Sequence, residues 1–290
     1  MGKRRIQSMS HLTEALELLG ELEVSANQQA RLAEIKRLLE QAQKDSEEVE
    51  TLRQKLDETI KGHGQFISFV VHEIRKPMTT IRGYSDMLVK KVVGDLNAMQ
   101  DQFINTIRNN VISMDNLLSD ISDMTKMTTG RMVAEPKMDM FKNIAMKLEK
   151  EFAEKAEARQ VKLTFDVPQG LPLLNLDSGR VERALSKLVD NAIKYTREGE
   201  GEVIVNASNE TGKLRITVRD NGIGISEADQ QHLGELFFRG DHELVLQTKG
   251  YGMGIPIVLE CMRMVHGEVS WESKEGEGSA FSLLLPTMGG

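Results

Sequence analysis

The chain holds a single cysteine, Cys261, among 290 residues, which excludes an intramolecular disulfide and suits a reducing compartment. Aromatic residues are scarce, 4% against 40% hydrophobic overall, a globular composition that leans toward helix. Positive charge is also in deficit: 37 basic against 44 acidic residues leave a net charge of −7, which argues against a nucleic-acid partner drawn by bulk charge. The short basic start, GKRR, is too small to change that. No apolar run approaches the roughly 20 residues that cross a bilayer, and no signal-peptide pattern opens the chain. A cytoplasmic location is therefore expected, with a membrane contact only if an upstream segment precedes residue 1. CxxC pairs and clustered histidines are missing, which speaks against a transition-metal site, and no GxxxxGK[ST] stretch occurs, so any phosphate site is not a P-loop.

What is present is periodicity. A seam runs from Leu32 through Ile35, Leu39, Ala42, Ser46, Val49, Arg53, Leu56, Ile60, His63 and Ile67 to Val70 in alternating steps of three and four. Heptad spacing with Glu/Lys/Arg/Gln-rich flanks predicts a coiled coil, made adjustable by Ser46, Arg53 and His63; the plainer reading is an ordinary charged helix. Gly62 and Gly64 bracket His63, and glycines cost a helix on the order of 1 kcal/mol each, so KGHG is expected to be a soft joint. The rhythm resumes at Ile67, Val70, Ile74, Met78, Ile81 and Leu88, stops at the turn-like GDLN, and returns in Ile104, Ile107, Val111, Met114, Leu118 and Ile121. Two amphipathic helices joined by a short turn predict an antiparallel hairpin. One hairpin cannot bury both stripes well, so pairing with a second copy into a four-helix bundle is expected.

Beyond a linker ending near Pro136 the pattern becomes mixed α and β. Residues 141 to 159 read as helix, VKLTFDV as a strand, and Asp177 as the N-cap of a helix reaching Lys194. GEVIVNAS and KLRITVRD alternate like adjacent antiparallel strands linked by NETG, and GEVSWES and SAFSLLLP close the pattern after a glycine-rich region and a helix near 253 to 265. The fold class is thus α+β: an N-terminal coiled coil (1–61), a helical hairpin (62–127), a linker (128–137) and an α/β sandwich of helices over one face of a sheet (138–290). Cys261 falls on an apolar helix face and reads as core, His266 as a turn residue, and His11, His232 and His242 are isolated.

The stretch FVVHEIRKP, residues 69 to 77, does not fit a purely structural helix. His72 lies two residues past Val70, about 200° around the helix, so its imidazole should face solvent. An exposed histidine alone is usually nothing, but Glu73 can hold one ring nitrogen and leave the other a free lone pair. Pro77 leaves the Glu73 carbonyl without its helical N–H partner, where the helix should bend.

FVVHEIRKP resembles the phosphoacceptor box of the sensor histidine kinases of two-component systems. Five further stretches resemble that family's ATP-binding boxes, in order: DNAIKYT (190–196), DNGIGI (220–225), LFFRGD (236–241), GYGMGI (250–255) and GEGS (276–279). Any one box is weak; five in order behind the histidine are specific. The resemblance covers roughly residues 60 to 288. It implies a Bergerat-type ATP-binding domain, a homodimer, and a response-regulator receiver domain as partner. ATP and Mg²⁺ are the implied cofactors, with Asn191 as Mg²⁺ ligand, Asp220 accepting from the adenine amino group, Lys194 and Tyr195 on phosphate and adenine, and Arg239 on the terminal phosphates. Gly222 and Gly224 would let the backbone approach a planar ligand, Gly250, Gly252 and Gly254 would open a helix whose N–H groups hold phosphate, and Ser279 closes the third glycine box. The polar stretch GDHELVLQTK between Phe238 and Gly250 corresponds to a mobile lid. His72 would be the phosphoacceptor, with Glu73 as base.

Two positions depart from the family's pattern. Lys76 stands four residues after the histidine, where Thr or Asn usually orients water for dephosphorylating the partner, and lysine has no acceptor for that task. Lys187 stands where an earlier asparagine is common, and its charge could either repel Mg²⁺ or contact phosphate. Both keep open a second reading, a nucleotide-binding dimeric scaffold that transfers no phosphate. A third, the related ATP fold of topoisomerases, MutL-type repair proteins and a heat-shock chaperone, leaves the hairpin and its histidine without a use.

Overall fold

The computed structural model describes residues 26–287 apart from Arg131 and Thr211, with side chains from residue 33 onward. Residues 1–25 of the expected coiled coil, with His11, and the side chain of Leu32 lie outside the described residues. The chain divides into two compact units, Met1–Ile67 and Ser68–Gly290. No described helix is long and apolar enough to cross a membrane.

Helix α1 (Ala26–Val89) runs for 64 residues and includes Pro77. The pair Gly62 and Gly64 does not interrupt it. Strong helix formers before the pair, as in LRQKLDETI, outweigh about 1 kcal/mol per glycine. Within the first unit, Ile35, Val49, Leu52 and Leu56 stay exposed, an apolar seam on a single helix.

In the second unit the chain reverses after α1 through Lys91 (φ 58°) and Gly94 (φ 120°). Helix α2 (Ala98–Thr128) then starts on a capping box in which Asn97 and Gln100 each accept the other's backbone N–H, at 2.9 Å. The hairpin core is Val71, Met78, Val111 and Leu118, with Ile121 partly buried beside it. This corrects the expected stripe: Ile74, Ile81, Ile107 and Met114, all placed on it, are 38–47% exposed. The apolar surface is wider than one seam, so one strip is buried within the hairpin and the other is left outside.

The remainder comprises β1 (Lys137–Asp139), α3 (Phe141–Ala158), β2 (Lys162–Asp166), β3 (Leu174–Leu176), α4 (Ser178–Tyr195), β4 (Glu202–Glu210), β5 (Lys213–Asp220), α5 (Glu227–Gln230), α6 (Glu243–Gln247), α7 (Gly254–Met264), β6 (Glu268–Lys274) and β7 (Gly278–Pro286). The main sheet has the order β2-β4-β5-β7-β6, parallel only between β2 and β4. Strands β1 and β3, which the sequence reading missed, pair as a small antiparallel ribbon. Alternation buries one face: Val203, Val205 and Ala207 of β4, Leu214, Ile216 and Val218 of β5, Leu283 and Leu285 of β7. On the other face the Thr217 and Ser282 hydroxyls meet at 2.9 Å. Helix α4 starts on Asp177, which accepts from the Arg180 N–H at 3.3 Å, and buries Val181, Ala184, Leu185, Leu188 and Val189. Each buried Val or Leu among them contributes about 1.5–3 kcal/mol by leaving water. Met127 of α2 joins this core, with Leu117, Ile121 and Met124 packed against it. The hairpin and the α/β layers are therefore in contact along α2.

Candidate functional site

The open ends of α4, β5 and β7 face a cavity of about 950 Å³. Ten of the sequence-predicted residues line it: Asn191, Lys194, Tyr195, Asp220, Gly224, Arg239, Gly250, Gly252, Gly254 and Ser279. Gly222, His72 and Glu73 do not.

Asp220 ends β5 opposite Ser279 of β7. The Gly222 and Ser279 N–H groups both donate to its Oδ1, at 2.9 and 3.3 Å, and no hydrogen bond among the described residues reaches Oδ2. Burial pushes its pKa up to about 6, against the lowering effect of the two N–H donors. The Ser279 hydroxyl is committed to Ser273 at 2.9 Å, so Ser279 serves this site through its backbone.

The glycines are required by the packing of the protein itself. A Cβ on Gly222 would sit 2.5 Å from the Tyr195 carbonyl oxygen, and one on Gly224 (φ +66°) would strike the Lys274 carbonyl. Gly252 (φ +66°) is closed in by Phe237 and Phe238 backbone at 2.5 Å. These contacts bind the loops to the protein itself and so shape the cavity. Gly254 opens α7 beside the Asn191 amide, whose nitrogen would lie 3.2 Å from an added Cβ. No side-chain hydrogen bond among the described residues occupies that amide. Its neutral oxygen fits a Mg²⁺ ion that keeps most of its ligands from phosphate and water. No group of three or more carboxylate, histidine or cysteine residues that could cage a metal occurs among the described residues.

Several charge pairings here gave no sequence signal. Asp190 holds the Lys194 ammonium at 2.5 Å and also pairs with Lys155, bringing two cations from α3 and α4 to one carboxylate at the cavity wall. Burial, then the charges of Lys194 and Arg159, push the Lys155 pKa down to about 8; burial likewise lowers Lys194. Lys187, one turn before Asn191, is engaged by the hairpin: its Nζ lies 2.6 Å from Asp120 Oδ1. Arg183 Nη2 reaches Asp120 at 2.7 Å and Asp123 at 2.9 Å. Asp120 is 8% exposed, and breaking such a pair in place leaves a buried charge uncompensated.

Arg239 does not extend freely into the cavity. Its Nη2 donates to the carbonyls of Thr248, at 2.7 Å, and Val245, clasping the segment read as a lid. That segment folds into α6, whose first N–H groups are met by His242 Nδ1, accepting from Leu244 at 3.1 Å. Lys249 at its end donates to Asn110 of α2 at 3.1 Å.

On α1 the His72 side chain is 67% exposed, and its Nδ1 lies 3.1 Å from Glu73 Oε1. The outward direction is as expected, although the buried neighbour is Val71 rather than Val70. Lys76 Nζ donates to the same Oε1 at 2.6 Å. The Lys76 ammonium, then the His72 ring, hold the Glu73 carboxyl below the usual range. Cys261 is fully buried, as expected, and burial pushes its thiol up to about 12. His266 turns the chain at φ 56°.

Two domain families match the chain: the His Kinase A (phospho-acceptor) domain over residues 63–130, and the histidine kinase-, DNA gyrase B- and HSP90-like ATPase over residues 176–288. The sensor protein GacS of Pseudomonas syringae pv. syringae is 30% identical over 272 residues, 92% of this chain and 29% of that protein. The signal transduction histidine-protein kinase BarA of Escherichia coli K12 is 24% identical over 89% of this chain and 28% of its own length. This chain therefore spans under a third of either relative. Among solved structures, full-length ShkA in complex with AMPPNP aligns over 77% of this chain and 46% of its own, at 22% identity and a TM-score of 0.64, a likeness of fold. With a phospho-acceptor hairpin ahead of an ATPase sandwich, the chain belongs to the sensor histidine kinases.

Proposed function

We propose that this chain is an ATP-dependent protein histidine kinase that phosphorylates His72 and passes the phosphoryl group to an aspartate of a response-regulator receiver domain. The observation that carries this reading is an exposed imidazole with Nδ1 held by Glu73, on the same chain as a cavity lined by ten residues of the expected nucleotide set.

With Nδ1–H donating to Glu73, the Nε2 lone pair is free to attack the γ-phosphorus in line, forming the N–P bond as the bond to the departing ADP oxygen breaks. Glu73 takes the Nδ1 proton as the ring gains positive charge. Asp220 Oδ2 accepts from the adenine amino group, and Lys194 faces phosphate. A Mg²⁺ ion held by Asn191 would neutralise phosphate charge. Transfer onward breaks the N–P bond and forms an acyl phosphate on the receiver aspartate.

His72 does not line the cavity, so the reaction needs the nucleotide domain to move onto α1. Pro77, which removes one backbone hydrogen bond a turn beyond Glu73, is the expected hinge. The uncovered apolar strip on the hairpin supports a homodimer with a four-helix bundle, extended by the seam of α1 as a coiled coil. We propose the domain limits read from the sequence, and a cytoplasmic location in keeping with the single cysteine.

The test is incubation with γ-labelled ATP, beside His72→Gln. Acid-labile label in the parent and its loss in the variant are expected. Nucleotide binding without label would point to the scaffold reading instead.

A further inference from the structure

The cavity is bounded on one side by helix α2, which contributes Ser113, Asn116, Leu117 and Asp120 to its lining. Asp120 presents the only one of those side chains that carries charge, and it places that charge on Lys187, itself a cavity residue one turn from Asn191. Lys187 and Asp120 side chains are 18% and 12% exposed, so neither is shielded by much water. Burial lowers the Lys187 pKa, while the Asp120 charge opposes that, so the ammonium depends on a nearby anion.

We infer that Lys187 exchanges partners between Asp120 and a nucleotide phosphate, so that nucleotide occupancy and docking of α2 on the ATP-binding layers compete. The inference deepens the kinase reading and rests on it. An ammonium shared between the two anions would hold a phosphate beside Asp120, and the two negative charges repel each other. Arg183 adds to the grip, because its guanidinium spans Asp120 and Asp123 and holds the same stretch of α2. When phosphate draws Lys187 away, Asp120 keeps only Arg183, and α2 is held more weakly. Binding linkage requires the converse: a docked α2 weakens nucleotide affinity by the same factor that nucleotide weakens docking. The resting contact is then a brake that the substrate itself releases, freeing the nucleotide domain for the journey to His72.

The experiment is calorimetric titration of the whole chain and of Asp120→Asn, with AMPPNP–Mg²⁺ and with adenosine. Asp120→Asn should bind AMPPNP about fivefold or more tighter, within the usual range of coupling between sites. Adenosine, having no phosphate, should bind both proteins alike. In a Lys187→Met background, Asp120→Asn should change AMPPNP affinity by less. An unchanged or weaker AMPPNP affinity in Asp120→Asn, or an equal gain for adenosine, overturns the exchange. Failure of the unaltered chain to bind AMPPNP at all would instead overturn the kinase reading. Hydrogen exchange on the unaltered chain is independent of whether the variants fold. Residues 113–121 should exchange faster with AMPPNP–Mg²⁺ than with adenosine, and equal or slower exchange overturns the proposal.

Discussion

At Asp220 stability and binding pull in opposite directions. Its folded pKa of about 6 exceeds the ordinary 3.8, so the fold favours the protonated form. That stabilisation is fully present below 3.8 and is lost as pH rises through about 6; at neutral pH the ionised group costs on the order of 3 kcal/mol. The ionised form is the one that accepts from an adenine amino group. Nucleotide affinity, measured by titration, should therefore weaken as pH falls from 7.5 to 5. In Asp220→Asn the single oxygen is claimed by the Gly222 and Ser279 N–H groups, turning NH₂ toward the cavity. Affinity should drop about tenfold or more, while the melting temperature of the nucleotide-free protein at pH 7.5 does not fall. A second prediction concerns Glu73, whose carboxyl is kept low first by Lys76. In Lys76→Thr the acid limb of autophosphorylation should move to higher pH, read from initial rates of labelling. A profile that stays in place would deny Glu73 its part as base.

Among elements, Pro77 offers the plainest test. Pro77→Ala restores the missing backbone N–H within α1 and should leave nucleotide binding intact while slowing autophosphorylation. Unchanged rates would remove the hinge. Elements with enough residues to show a period were legible in the sequence: β4 and β5 alternate over eight or nine residues, and α4 carries its cap and its stripe. The three-residue strands β1 and β3 were not, because so short a segment shows no period and its partner lies far along the chain. The hairpin stripe was half legible. Periodicity shows which residues are apolar, but it cannot tell which of two adjacent strips meets the sister helix, and Val71 rather than Val70 proved to be inside. In the site, ten of the expected residues line one cavity, while Gly222, His72 and Glu73 do not. Lys187 with Asp120, and Lys155 with Asp190, could not be read, since each pair joins residues 67 and 35 positions apart with no local pattern.

For the whole molecule, the proposed homodimer rests on the apolar strip left outside the hairpin. Ile74, Ile81, Ile107 and Met114 are 38–47% exposed, large apolar side chains that a second copy would cover. Ile81→Asp should shift sedimentation toward monomer without loss of nucleotide binding, because Ile81 is not among the residues lining the cavity. A variant that still sediments as dimer would place the interface elsewhere. Cys261, sealed inside the α/β layers with a thiol that barely ionises near neutrality, leaves the molecule without a thiol open to thiol-directed labelling reagents. A spin label or dye attached to a cysteine introduced on the lid or the hairpin would then report from that place alone, and domain movements could be followed with Cys261 left in place.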